Sequence, residues 1–147
     1  MSMISESDIR QVFRATLSEV SDLPDYIAWE NRSKNPPDPG SDTEPPIVWV
    51  KEDLRILDET HTAFGFITSI GEMLYSVYTP LGRGTREADD LSLSIANAFM
   101  ATQSLSGNNI VLVLEHTQRN PYRADEDLPD WVFKTVTIRW RAHTATS

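Results

Sequence analysis

Gly71-Glu72-Met73-Leu74-Tyr75-Ser76-Val77-Tyr78-Thr79-Pro80-Leu81-Gly82-Arg83-Gly84-Thr85, followed by a helical pattern from Arg86 to Phe99, is the stretch on which the fold turns. It reads as turn, strand, glycine loop and helix, in that order. Two functions fit such an order. The glycine loop could hold an anion ahead of a helix, or the corner could belong to a small α+β subunit that works by assembly.

The helix that follows carries the first clue. Over 86–103, Ala88, Leu91, Ile95, Ala98, Phe99 and Thr102 form one apolar stripe, predicted to face a sheet. Leu93, Ala96 and Met100 form a second stripe nearly opposite it. A helix apolar on two sides is covered on two sides, here either by a long loop or by a neighbouring subunit, and the second makes these three residues candidates for a subunit interface.

Upstream, Ser5 followed by Asp8 is a capping-box-like start, with Ile4 and Ile9 placed as a hydrophobic staple. Ile9, Val12, Phe13, Thr16, Leu17 and Val20 then predict an amphipathic helix ending near Asp22-Leu23-Pro24. A short strand is expected over 26–31. Residues 32–46 hold five of the nine prolines and no apolar periodicity, which predicts a long loop. Residues 47–57 return to strand character. Glu52 interrupts the face carrying Val48, Val50, Leu54 and Ile56, suggesting a bulge or an edge. Strands over 64–70 and 73–79, with Gly71-Glu72 between them, have the spacing of a tight hairpin.

Downstream, Ile110-Val111-Leu112-Val113-Leu114 is apolar on both faces, as a central strand would be. Residues 131–141 form the last expected strand, with Val132, Val136, Ile138 and Trp140 on one face. Residues 118–130, with Asp125-Glu126-Asp127, read as a long hairpin arm, and His143 onward as an unanchored tail. The expected architecture is α+β, a mainly antiparallel sheet with two helices in the order α-β-β-β-β-α-β-β. The 147 residues read as a single domain.

Composition excludes several functions. With no Cys, disulfides, thiolate zinc sites and a cysteine nucleophile are all absent. A net charge of −9 and only three lysines argue against gripping a phosphate backbone. No secretion signal or membrane-length apolar run is evident, so a soluble protein is expected. His61, His116 and His143 lack metal-ligand spacing. Asp89-Asp90 and the acidic triplet at 125–127 match no calcium loop, and no metal or cofactor is expected. The anion reading of Gly82-Arg83-Gly84-Thr85 is weak, because the dinucleotide pattern would need glycine where Glu87 stands and no P-loop lysine is present. Glu87, Asp89 and Asp90 already answer the helix dipole. Gly82, Gly84 and Thr85 are therefore expected to build a structural corner, Thr85 serving as N-cap. No residue is assigned a catalytic role.

Taken together, the N-terminal helix, Ile27-Ala28-Trp29-Glu30-Asn31 before a proline-rich loop, Met73 to Tyr78, and Pro80-Leu81-Gly82-Arg83-Gly84 ahead of a helix ending at Phe99 carry a resemblance. The chain resembles the small tail terminator proteins of long-tailed bacteriophages, the group that includes the minor tail protein U type. That resemblance implies a non-enzymatic virion protein, assembled in the host cytoplasm and placed in the tail at the neck. It implies a homo-hexamer ring that caps the head-proximal end of the tail tube, stops tube polymerisation and joins the head connector, with DNA passing through the channel. Arg32, Lys34, Asp38, Arg119, Tyr122 and Arg123 are candidate partner contacts on the two proline-bearing excursions. A head-side connector or stopper ring, and a small anion- or nucleotide-binding enzyme, are the alternative readings.

Overall fold

In the computed structural model the longest strands lie at the middle of one curled sheet. The structure describes residues 4–21, 23–24, 27–29, 47–61, 67–82, 84–100 and 103–144. The elements run α1 (Glu6–Leu17), β1 (Ile27–Ala28), β2 (Trp49–His61), β3 (Ile67–Pro80), α2 (Arg86–Ala98), β4 (Ser104–Gly107), β5 (Ile110–Arg119), β6 (Arg123–Ala124) and β7 (Trp131–Thr144). Strand order across the sheet is β1-β2-β3-β7-β5-β4, with β6 on β7. All pairs are antiparallel except β1 with β2.

The expected α+β class, with a mostly antiparallel sheet and two helices, is what forms. Its element order is α-β-β-β-α-β-β-β-β, and one expectation changes for a clear physical reason. Gly71-Glu72 is no turn. Gly71 lies inside the continuous strand β3, paired with Ile56 on β2 and Trp140 on β7. A Cβ at Gly71 would fall 2.6 Å from the Trp140 indole and against the Arg55 carbonyl, so glycine serves close approach rather than reversal. The bulge opposite, between Ile56 and Asp58, supplies the local irregularity.

Other boundaries also move. α1 starts as expected, with the Ser5 side chain accepting from the Ser7 N–H and with Ile4 and Ile9 both buried. It stops at Leu17, and single turns bonded through Thr16 and Leu17 carry the chain to Val20. α2 ends at Ala98, because the chain must turn into the edge strand β4, whose four residues pair with β5. β5 lies second from the edge, and the centre belongs to β3 and β7. His143 and Thr144 are no tail: they pair with Val111 and Ile110 at the end of β7. Residues 30–46 and 62–66, with the expected loop and the start of the expected 64–70 strand, lie outside the described residues.

One sheet face is closed by the helices. Phe13, Leu17, Leu91, Ile95 and Phe99 pack against Met73, Tyr75, Leu112, Leu114, Ile138 and Trp140 in one buried cluster. Phe13 and Phe99 sit 5.5 Å apart between ring centroids, and Phe13 meets Trp140 edge-on at 6.5 Å. Each such side chain contributes about 1.5–3 kcal/mol on burial. Glu52 also belongs to this face. The bulge of β2 lies further along, between Ile56 and Asp58; Arg14 of α1 reaches Glu52, which makes a buried carboxylate tolerable.

The opposite face carries a smaller cluster at one end, where Trp49 stacks on Tyr78 at 4.0 Å and meets Trp131 at 5.8 Å. That cluster explains why Trp131 is more buried than Val132, its neighbour on the other face of β7.

Candidate assembly surfaces

The corner before α2 is made by two backbone positions. Gly82 and Gly84 adopt φ of +77° and +84°, the left-handed region that glycine enters without a Cβ penalty. The Leu81 N–H donates to the Asp130 carbonyl at 2.9 Å, tying the corner to the start of β7. Arg83 lies outside the described residues. Thr85 occupies the N-cap position, yet its side chain makes no capping bond. Its carbonyl works instead, accepting from the Asp89 N–H at 2.8 Å and the Tyr122 hydroxyl at 3.2 Å.

The acidic first turn of α2 is occupied from within. Asp89 holds Arg119 at 3.1 Å and Lys134 at 3.7 Å, and Lys134 lies 5.0 Å from the Tyr122 ring centroid. Burial, followed by the Asp89 charge, raises the Tyr122 pKa above the ordinary 10.0. This helix start presents three carboxylates, of which Asp89 is matched to the protein's own cations, an environment opposed to anion binding.

The segment over 118–130 folds back on its own subunit. Arg119 and Tyr122, expected as partner contacts, both bond to α2 or its cap, and β6 pairs with β7. The Tyr78 hydroxyl donates to Asp125 at 2.9 Å, while the other Asp125 oxygen accepts the N–H groups of Asp127 and Leu128. Burial, then the Asp125 hydrogen bond and the nearby acid charges, push the Tyr78 phenol far above its ordinary value. Between the folded-back arm and the sheet runs a polar trough of about 690 Å³, floored by Glu72, Leu74 and Ser76. Arg123 is exposed on its rim. Arg32, Lys34 and Asp38 lie outside the described residues.

The three candidate interface residues separate. Ala96 is half-buried and packs against the core. Leu93 is 43% exposed on α2, and Met100, one residue past the Phe99 cap, is 57% exposed. Two large apolar side chains therefore point away from a helix whose other side, Ala88, Leu91 and Ile95, is fully used. The residues that sequence reasoning passed over lie on the sheet face away from the helices. Ile70, Val111 and Val113 are half-buried there, and the double-sided apolar run at 110–114 was their signal. Among the described residues, no three His, Asp or Glu side chains converge as metal ligands would.

No functionally curated protein matches the chain. Two solved structures share the fold. One, of unstated function, aligns at a TM-score of 0.56 and 15% identity, covering 94% of this chain and 96% of its own. The other is part of the virion of a native gene transfer agent particle, at a TM-score of 0.50 and 14% identity, covering 93% of this chain and 92% of its own. A family model described as phage tail terminator protein matches residues 8–140, from the first turn of α1 to Trp140 in the last strand. The chain belongs to the phage tail terminator protein family and is a structural protein of the phage tail.

Proposed function

We propose that this protein closes into a homo-hexamer ring on the head-proximal end of the tail tube, stops further tube polymerisation and offers the joining surface to the head connector. The observation that carries the reading is the pair of exposed apolar side chains, Leu93 on a helix already packed on its inner side and Met100 just past its Phe99 cap. Family membership over 8–140 supplies the tail context. A fold neighbour that sits in a virion particle supports an assembled state. In a ring, every subunit buries one patch on each neighbour, and apolar residues left outside the monomer core are what such contacts use.

The remaining parts follow the same reading. The protein sits at the neck of the virion after assembly in the host cytoplasm. Arg32, Lys34, Asp38 and Arg123 serve as contacts with the tube or connector, while Arg119 and Tyr122 brace the arm that presents Arg123. The net charge of −9, repeated around a ring, gives a channel wall past which DNA slides without specific binding. Mixing the protein with polymerising tube subunits and imaging by electron microscopy tests the reading. Tubes of limited growth with a ring at one end are expected; uncapped tubes of unrestricted length would refute it, and a basic channel wall in the assembled ring would refute the charge argument.

A further inference from the structure

We propose that the tip of the β5–β7 hairpin, residues 120–130, and the first turn of α2 form one clasp that opens and closes as a unit, so that a partner engaged through Arg123 steadies the helix that carries Leu93. This inference rests on the ring reading for its consequence and adds to it a coupling between the arm and the proposed subunit contact.

Each half of the clasp is weak by itself. None of residues 120–130 is fully buried, and β6 contributes a ladder of only two residues. A segment with few buried apolar contacts opens locally at a lower free energy than the whole fold. The start of α2 has a related weakness: the Thr85 side chain makes no capping bond, so the helix lacks the N-cap acceptor that ordinarily secures a first turn.

The two halves are fastened to each other. Tyr122 at the tip donates to the Thr85 carbonyl at 3.2 Å, the same oxygen that accepts from the Asp89 N–H at 2.8 Å to close the first turn of the helix. At the foot of the tip, Arg119 reaches the Asp89 carboxylate at 3.1 Å and the Ser92 hydroxyl at 3.3 Å. Lys134 joins the same carboxylate at 3.7 Å, with its ammonium 5.0 Å from the Tyr122 ring centroid. The far end of the tip is tied to the corner ahead of the helix, where the Leu81 N–H donates to the Asp130 carbonyl at 2.9 Å. Freeing Tyr122 therefore loosens the carbonyl on which α2 begins, and unwinding that turn takes Asp89 away from Arg119. Exposed contacts of this kind are weak one at a time; here they share Asp89 and Thr85, and so they form and break together. Ser92, one of the anchored residues, immediately precedes Leu93.

Hydrogen exchange on the full-length free subunit, read by mass spectrometry, tests the clasp with variants at its two ends. Asp125 bonds to Tyr78 of β3 and to two N–H groups of its own loop, and makes no hydrogen bond or ion pair with α2 among the described residues. Asp125→Ala is expected to speed exchange over 120–128 by about tenfold and to speed 89–92 with it, because one unit has one opening equilibrium. Asp89→Asn is expected to speed 125–128 from the helix side, since coupling is reciprocal. Exchange over 136–142 of β7 should keep its wild-type rate, which marks each variant as folded; where that rate rises, Asp125→Asn, which keeps the side-chain volume, replaces the alanine variant. A tip that speeds up while 89–92 keeps the wild-type rate would overturn the clasp, as would unchanged exchange over 125–128 in Asp89→Asn. Shared opening in a protein that forms no ring on tubes would uphold the clasp and refute the ring reading, whereas rings built from subunits whose two segments open independently would overturn the clasp alone.

Discussion

Arg14 grips Glu52 with two nitrogens, Nε at 3.0 Å from Oε2 and Nη2 at 2.6 Å from Oε1, and so joins α1 to β2 across the helix-covered face of the sheet. The Glu52 side chain is wholly buried while the Arg14 side chain is 30% exposed, its guanidinium lying 4.6 Å from the Trp29 ring centroid. Removing only the arginine takes its bidentate partner from a buried carboxylate, and breaking a buried pair in this way costs about 3–5 kcal/mol. Arg14→Ala is therefore expected to lower the urea midpoint sharply. Arg14→Met combined with Glu52→Leu should recover most of the loss, because an apolar pair of similar volume avoids desolvating charge. A double variant no better than Arg14→Ala would show that the pair is worth more than its removal.

Two tyrosines on opposite faces of β3 should respond oppositely to loss of their hydroxyls. The Tyr75 hydroxyl is fully buried and has no hydrogen-bond partner among the described residues. Tyr75→Phe should leave stability unchanged or raise it by up to about 1 kcal/mol, since an unsatisfied buried group carries a desolvation cost. Tyr78 donates to a carboxylate, and Tyr78→Phe should cost about 1.5 kcal/mol at neutral pH. Denaturant melts of the two variants side by side check the contrast.

The same phenols set an alkaline limit. Burial raises the folded-state pKa of both Tyr75 and Tyr78 above the ordinary 10.0, so the folded chain holds these protons more tightly than the unfolded chain. Their contribution is fully present below pH 10.0 and declines as pH rises further, because the unfolded state ionises first. Stability measured against pH should fall above that point in the wild type and fall less steeply in Tyr78→Phe. Parallel curves would remove Tyr78 from the alkaline transition.

Gly71→Ala places a methyl group against the Trp140 indole and the Arg55 carbonyl. Overpacking of this kind costs about 1–3 kcal/mol, and the backbone oxygen cannot yield as a flexible side chain would. Thermal unfolding should show the loss. Gly82→Ala is a useful contrast: its Cβ would meet nothing within 4 Å, and its φ of +77° alone limits it to the smaller penalty of a left-handed alanine.

Leu93→Asp and Met100→Asp put charges where the proposed interface is apolar. Both positions are exposed in the subunit, so the fold should survive with its circular dichroism and melting point intact. Rings should disperse, since an unpaired charge buried at a contact costs several kcal/mol. Native mass spectrometry of each variant beside the wild type measures this, and unchanged hexamers would remove the residue from the interface.

The chain by itself determined the amphipathic elements and the corner. The staple around Ser5, the inner stripe of α2 and the positive φ of Gly82 and Gly84 follow from local chemistry: apolar period, capping and the missing Cβ. Local chemistry also led to Gly71-Glu72 as a turn, because a glycine between two strand-like runs looks the same whether the chain reverses or a distant indole needs the room. Only the tertiary structure brought Trp140 over Gly71 and Arg14 to Glu52, partners far apart in the chain whose meeting depends on strand order. It also separated Ala96, which packs inward, from Leu93 and Met100, and left Ile70, Val111 and Val113 on the face opposite the one that α1 and α2 cover. Periodicity states which residues share a side; which side is covered depends on how many layers the fold supplies, and here two helices reach one face of the sheet.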